Sequence, residues 1–172
     1  MLADALAARW DFPAFRKPWR WRARTSSGTF GGHDVVLVKP TTYMNRSGAA
    51  LTPLLAQSDF DTSRHLLVVV DEVALPLGTA RIRPSGSAGG HNGLKSIAGR
   101  LQSEDYPRLR IGVGPRPDDI DQSDFVLTGF EPEELDELQA AMPRFIEGVE
   151  TWMQEGIDVA MNRLNRKGPE RD

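Results

Sequence analysis

Apolar positions along the chain fall into short clusters whose spacing changes, and those changes mark out elements. Ala3, Leu6, Ala7 and Trp10 recur at helical spacing, so residues 3–10 read as a helix. Trp19 to Arg24 alternates and predicts a strand, while Asp34 to Val38 is a short β-branched run that predicts a buried one. Helical spacing returns over 45–57, with Leu51, Leu54 and Leu55 on one face. Leu66 to Val70 is wholly apolar and ends in consecutive valines, the pattern of a central strand buried on both faces. Arg81–Arg83 and Leu109–Val113 read as further strands, Gly93–Leu101 as a helix, and Phe125-Val126-Leu127 as strand-like. Two helices close the chain, Pro132–Glu147 with Glu133 and Glu134 in its first turn, then Val149–Leu164. Strands alternating with helices predict an α/β protein, a three-layer sandwich around a mixed, mostly parallel sheet.

The chain has 172 residues, enough for one domain with its own core, and no long Pro/Gly/Ser linker divides it. Its lack of cysteine excludes a disulfide framework, a Cys-bearing zinc site and a thiol nucleophile, and fits a reducing compartment. No run approaches the roughly 18 apolar residues of a membrane span. Met-Leu-Ala-Asp-Ala-Leu at the start carries an acid where a secretory signal carries basic residues, so a cytoplasmic protein is expected.

Charge changes this picture. The net value of -3 argues against a nucleic-acid partner, yet up to Arg110 there are 15 Lys+Arg against 9 Asp+Glu, and from Ile111 onward 6 against 15. The chain is a basic body followed by an acidic section. Solvated acidic helices explain the second part equally well on charge alone.

Asp71 follows the apolar run at 66–70, which places its carboxylate at the carboxyl end of a strand, the edge where open α/β sheets bind ligands. Capping of the next turn is the competing role. Residues 85–93 form a glycine-rich loop that leads into a helix and presents His91 and Asn92. The loop matches neither a Walker sequence nor a dinucleotide fingerprint nor a nucleophile elbow. Asn45, after Lys39-Pro40-Thr41-Thr42-Tyr43-Met44, either caps the following helix or holds a carbonyl oxygen or water in a site. His33 and His65 lie in polar turns and are expected to be exposed, and no metal-ligand spacing is present. Asp118-Asp119-Ile120-Asp121 lacks the pattern of a calcium loop and reads as a solvated turn.

Taken together, these segments resemble the bacterial peptidyl-tRNA hydrolase family, from about Ala3 to Asn165. The blocks that carry the resemblance are Lys39 to Gly48, Asp71-Glu72 with Leu75-Pro76-Leu77-Gly78, Gly89 to Ser96, Arg108 to Gly114, Asp124 to Leu127, and Met161-Asn162-Arg163. The resemblance implies hydrolysis of the ester between peptide and tRNA in a monomeric protein, with no metal or cofactor. A histidine would act as general base on water, oriented by the carboxylate at the position of Asp71. Asn45 and Asn92 would line the site and bind the substrate near its 3′ end, with Tyr43 and His91 in the same surface. Arg81, Arg83, Arg108 and Arg110 match basic positions that would face tRNA phosphates.

The family opens with a strand, then Gly-x-x-Asn-Pro-Gly and Thr-Arg-His-Asn-x-Gly, and only then a helix. Residues 1–172 contain neither motif, and the opening helix has no capping residue in its first turn. Loss of roughly two dozen N-terminal residues, with the first strand and the catalytic histidine among them, is therefore expected. Ala74 also stands where the family usually has an acid. The alternative is a non-catalytic RNA-binding relative that has lost its base, and His91 is the nearest group to replace that base.

Overall fold

In the computed structural model, which describes residues 1–116, 119 and 122–166, helix α1 spans Leu2–Arg9. It buries Leu2, Leu6 and Ala7, and Trp10 at its end stacks on Phe30 with ring centroids 4.6 Å apart. Met1 offers no side-chain cap bond, and Asp4 Oδ2 accepts from the Met1 amine at 3.4 Å.

The next two strands form a hairpin. Strand β1 (Ala23–Phe30) pairs antiparallel with β2 (His33–Pro40) through Gly31 and Gly32, both at positive φ. Two left-handed residues make the tight turn whose twist matches that of the strands it joins. Of the run Trp19–Arg24 expected as a strand, only Ala23 and Arg24 join β1, because Pro18 and Trp21 close a turn ahead of it (Trp21 N–H to Pro18 C=O, 3.0 Å). Nor is β2 buried: Val36 is 40% exposed, as a two-stranded sheet leaves a face open. A 3-10 helix, Met44–Leu51, then runs into α2 (Thr52–Leu55), burying Leu51 and Leu54, and α3 (Thr62–His65) is a single turn capped by Asp61.

The second sheet has the order β3-β5-β4, from Val68–Pro76, Arg108–Gly114 and Ala80–Arg83. The β3–β5 ladder is parallel and β4–β5 antiparallel, so the sheet is mixed as predicted; with the β1–β2 hairpin, one ladder among the described residues is parallel and two are antiparallel. The central strand is β5. Val69 of β3 is 42% exposed, which corrects the expectation of a central strand at 66–70. Consecutive valines alone do not distinguish an edge strand from an inner one.

Ladder β3–β5 runs in register from Val68↔Arg108 to Glu72↔Gly112 and then slips, resuming at Pro76↔Gly114. The slipped segment lies on glycines. A Cβ at Gly112 would overlap the carbonyl oxygen of Pro76, and one at Gly114 that of Val73. Leu77 N–H donates to Gly114 C=O at 2.7 Å, and Gly112 N–H to Thr79 C=O at 2.8 Å.

Helix α4 is Asn92–Leu101, α5 is Gln122–Phe125, α6 is Pro132–Glu155 and α7 is Ile157–Leu164. Phe125 closes a helical turn where a strand was expected, and Leu127 beyond it is 84% exposed. The break between the last two helices falls at Gly156, φ 88°, and not near residue 148. Gly148 stays helical because its bare Cα lets Leu164 pack against it. Of the acidic cluster read as a turn, Asp118, Ile120 and Asp121 lie outside the described residues. No described helix is long and apolar enough to cross a membrane.

Contacts gather the chain into two units, Met1–Leu66 with Ser85–Tyr106, and Leu67–Pro84 with Pro107–Asp172.

Candidate active site

In the first unit the 3-10 helix packs on α4, and two glycines set the approach. A Cβ at Gly48 would overlap the Ser96 carbonyl oxygen, and Gly48 N–H donates to Ser96 Oγ at 3.1 Å. A Cβ at Gly93 would lie 2.7 Å from Met44 Sδ and 2.8 Å from His91 Cε1. The two sequence blocks are thus bound together by fit, with Asn45 and Asn92 next in sequence to the two partners of the Met44–Gly93 contact.

Asn45 is not a helix cap. The N-cap position belongs to Tyr43, at φ -58° and ψ 151°, and Asn45 lies inside the helix, exposed. Its amide makes no side-chain hydrogen bond among the described residues, which leaves a donor and an acceptor for a ligand. The same holds for Asn92, the first residue of α4. Tyr43 is 82% exposed. Asn45 also lines a cavity of about 500 Å³ together with Arg22, Arg46, Thr52, Ser96 and Arg100. The three arginines were not picked out from the sequence; Arg46 adjoins Asn45, and Arg100 lies two turns along the helix from Asn92.

His91 caps α4, its Nδ1 accepting from Leu94 N–H at 3.2 Å. That lone pair is committed. A general base needs a free one, so the cap removes Nδ1 from the role of replacement base. Lys39 is engaged as well: its Nζ is 2.6 Å from Asp4 Oδ1 and 4.4 Å from the Phe15 ring centroid. The bond from Lys39 holds the Asp4 carboxyl below its ordinary range. His33 and His65 are exposed, and His65 Nδ1 accepts from Asp61 N–H at 3.1 Å. Bonds from Ser63 hold the Asp61 carboxyl low.

The second unit holds the other predicted residues. Asp71 lies inside β3, opposite Ile111, since the strand runs on to Pro76 instead of ending at Val70. It stands one pair before the ladder slips, so the end of regular pairing, not the end of the strand, is near its carboxylate. Glu72 forms a half-buried ion pair with Arg110 and accepts from Ala74 N–H at 3.2 Å. Arg110 is therefore neutralised within the fold and not a free phosphate contact. Arg108 is 1% exposed. Its place on the central strand buries it, which corrects its assignment to the tRNA-facing surface. Arg81 and Arg83 alternate with buried Ile82 on β4 and are exposed. Asn165 completes that strand: its Oδ1 accepts from Ile82 N–H at 2.8 Å and its Nδ2 donates to Ile82 C=O at 3.0 Å. Among the described residues no cluster of His, Asp and Glu could hold a metal ion.

Comparison with known proteins agrees with the blocks read in the sequence. The family model described as peptidyl-tRNA hydrolase matches residues 1–171. The peptidyl-tRNA hydrolase of Gemmatimonas aurantiaca is 43% identical over 170 residues, covering 96% of this chain and 87% of the relative. That of Chloroflexus aggregans is 44% identical over 146 residues, 85% of this chain and 78% of the relative. The crystal structure of peptidyl-tRNA hydrolase from Acinetobacter baumannii superposes with a TM-score of 0.87 at 28% identity, over 98% of this chain and 84% of that one. With the family matched through both units, the chain belongs to the peptidyl-tRNA hydrolase family.

Proposed function

We propose that the protein hydrolyses the ester joining a peptide, or an N-blocked aminoacyl group, to the terminal ribose of tRNA, and so recycles tRNA from peptidyl-tRNA dropped by ribosomes. The family match through residues 1–171 carries this reading. The two units then serve one hydrolase domain, working as a monomer in the cytoplasm, without metal or cofactor.

In this reading the uncommitted amides of Asn45 and Asn92 take the carbonyl oxygen and ribose hydroxyls near the 3′ end, and Tyr43 offers a ring to the same end. Asp71 is a positioning residue that orients and charges a histidine base acting on water. The family's Thr-Arg-His-Asn motif, which supplies that base, is not found in residues 1–172. Arg81 and Arg83 are the second unit's phosphate contacts.

Hydrolysis of N-acetyl-aminoacyl-tRNA, measured on residues 1–172 and on the product of the same frame read upstream of Met1, tests this. The longer product should turn over, and Asp71→Ala in it should lower kcat by about 10²- to 10⁴-fold with a shifted pH profile. Equal turnover by residues 1–172 would place the base within them. An upstream frame that encodes no histidine motif, with binding but no cleavage by either chain, would leave a non-catalytic RNA-binding protein.

A further inference from the structure

A loop of the first unit concentrates cationic and aromatic residues that the proposed function does not use. From Phe12 to His33 the sequence has no Asp or Glu, yet it carries Arg16, Lys17, Arg20, Arg22 and Arg24. All five are exposed, and none forms an ion pair among the described residues. Such a cluster costs self-repulsion in the free protein, and an anionic ligand removes that cost.

The loop is built, not slack. Arg16 and Thr25 bridge its base, with Arg16 N–H to Thr25 C=O at 2.9 Å and the reverse bond at 2.7 Å. At the tip, Trp19 and Arg20 occupy the two central positions of the turn closed by Pro18 and Trp21. Trp19 is 87% exposed, and the Arg20 guanidinium carbon stands 4.9 Å from its ring centroid. Thr41 N–H bonds Arg22 C=O at 3.0 Å, fixing the end of the loop beside the segment that leads to Asn45. Arg22 also lines the cavity shared by Asn45, Arg46 and Arg100.

We propose that the Arg16–Thr25 loop is a further tRNA-contact element, in which Trp19 stacks on an unpaired base and the five cations hold successive phosphates, leading the backbone to the cavity of Arg22, Arg46 and Arg100. This rests on tRNA being the substrate. Four of the five cations are arginines, whose planar fork pairs with phosphate oxygens and stacks on rings. An anionic membrane is the weaker fit: surface-lying segments bury the apolar stripe of an amphipathic helix, whereas this is a tight turn without Leu, Ile, Val or Met between Phe15 and Thr25.

Titration of labelled uncharged tRNA by fluorescence anisotropy, between about 50 and 200 mM salt, tests the loop without requiring turnover. The triple variant Arg16→Ala/Lys17→Ala/Arg20→Ala should bind with a log K against log salt slope shallower by about 2 to 3. Trp19→Ala should weaken binding roughly 5- to 100-fold at unchanged slope, and Trp19→Phe should restore most of it. Thermal midpoints equal to wild type confirm that these exposed positions leave the fold intact. Slopes and affinities equal to wild type would overturn the inference while leaving the hydrolase reading in place. Intact tRNA binding together with lost binding to phosphatidylserine vesicles would reassign the loop to membranes. A wild-type protein that neither binds nor cleaves would overturn the hydrolase reading and this inference with it.

Discussion

The packing of the 3-10 helix on α4 and the pairing of β3 with β5 both depend on glycines, but different neighbours fill the space. At Gly93 the nearest atoms are the ends of the Met44 and His91 side chains, at 2.7 and 2.8 Å, and those can turn aside. At Gly112 and Gly114 they are carbonyl oxygens of β3, held by the ladder itself. A methyl group at Gly93 is absorbed by moving side chains; at Gly112 and Gly114, as at Gly48 against the Ser96 carbonyl oxygen, backbone must move. The same contrast runs through the polar groups. Asn45 and Asn92 in the first unit are uncommitted, whereas Arg108 and Arg110 in the second are buried or paired. Two amides open to a ligand flank the contact of Met44 with Gly93, and two arginines already buried or paired lie on the ladder.

Substitution at the two kinds of glycine is the strongest way to break this comparison. Gly112→Ala should cost about 3 kcal/mol or more, read as a fall in the urea midpoint at constant m, because no rotamer change relieves the overlap. Gly93→Ala should change stability by less than about 1 kcal/mol, since the gain in helix propensity offsets the displaced side chains. It should instead raise KM for the tRNA ester by moving Met44 and His91. Equal loss of stability in both variants would remove the distinction.

Asn165→Ala comes next. Ile82 is fully buried, so losing both amide bonds to its backbone should cost about 1–3 kcal/mol in thermal or urea unfolding. A cost within error would mean that the pair is satisfied another way.

The smallest effect is at Asp4. Its carboxyl titrates lower when folded than when unfolded, through the bond from Lys39 and against its own desolvation. The contribution is therefore full above the ordinary carboxylate range and is lost as pH falls through the folded value. Because Asp4 is 53% exposed, the contribution is under about 1 kcal/mol. Asp4→Asn should remove that part of the acid-side slope of stability and leave neutral pH nearly unchanged.

Much of this was legible in the sequence, and the failures have common causes. Helices α1 and α4 are legible because their apolar residues recur at helical spacing, and strands β4 and β5 because theirs alternate with polar ones or glycine. Trp19–Trp21 alternates without being a strand because Pro18 starts a turn that periodicity ignores. The break at Gly156 was misplaced because Gly148, equally glycine, is kept for the packing of Leu164. Among the candidate residues, the sequence points to Asn45 and Asn92 in the first unit and to Asp71, Arg108 and Arg110 in the second. Charge says which residues could meet a phosphate; it does not say which are already paired. Arg22, Arg46 and Arg100 were missed because they converge only after the 3-10 helix meets α4.

The amide of Asn165 takes both backbone groups of Ile82, as a neighbouring strand's peptide would. It therefore acts as a strand one residue long, ending the sheet at β4 with a side chain that cannot recruit another chain. A protein cut short before that residue would offer Ile82 to its neighbours, and its first symptom would be concentration-dependent self-association, with loss of activity following only later.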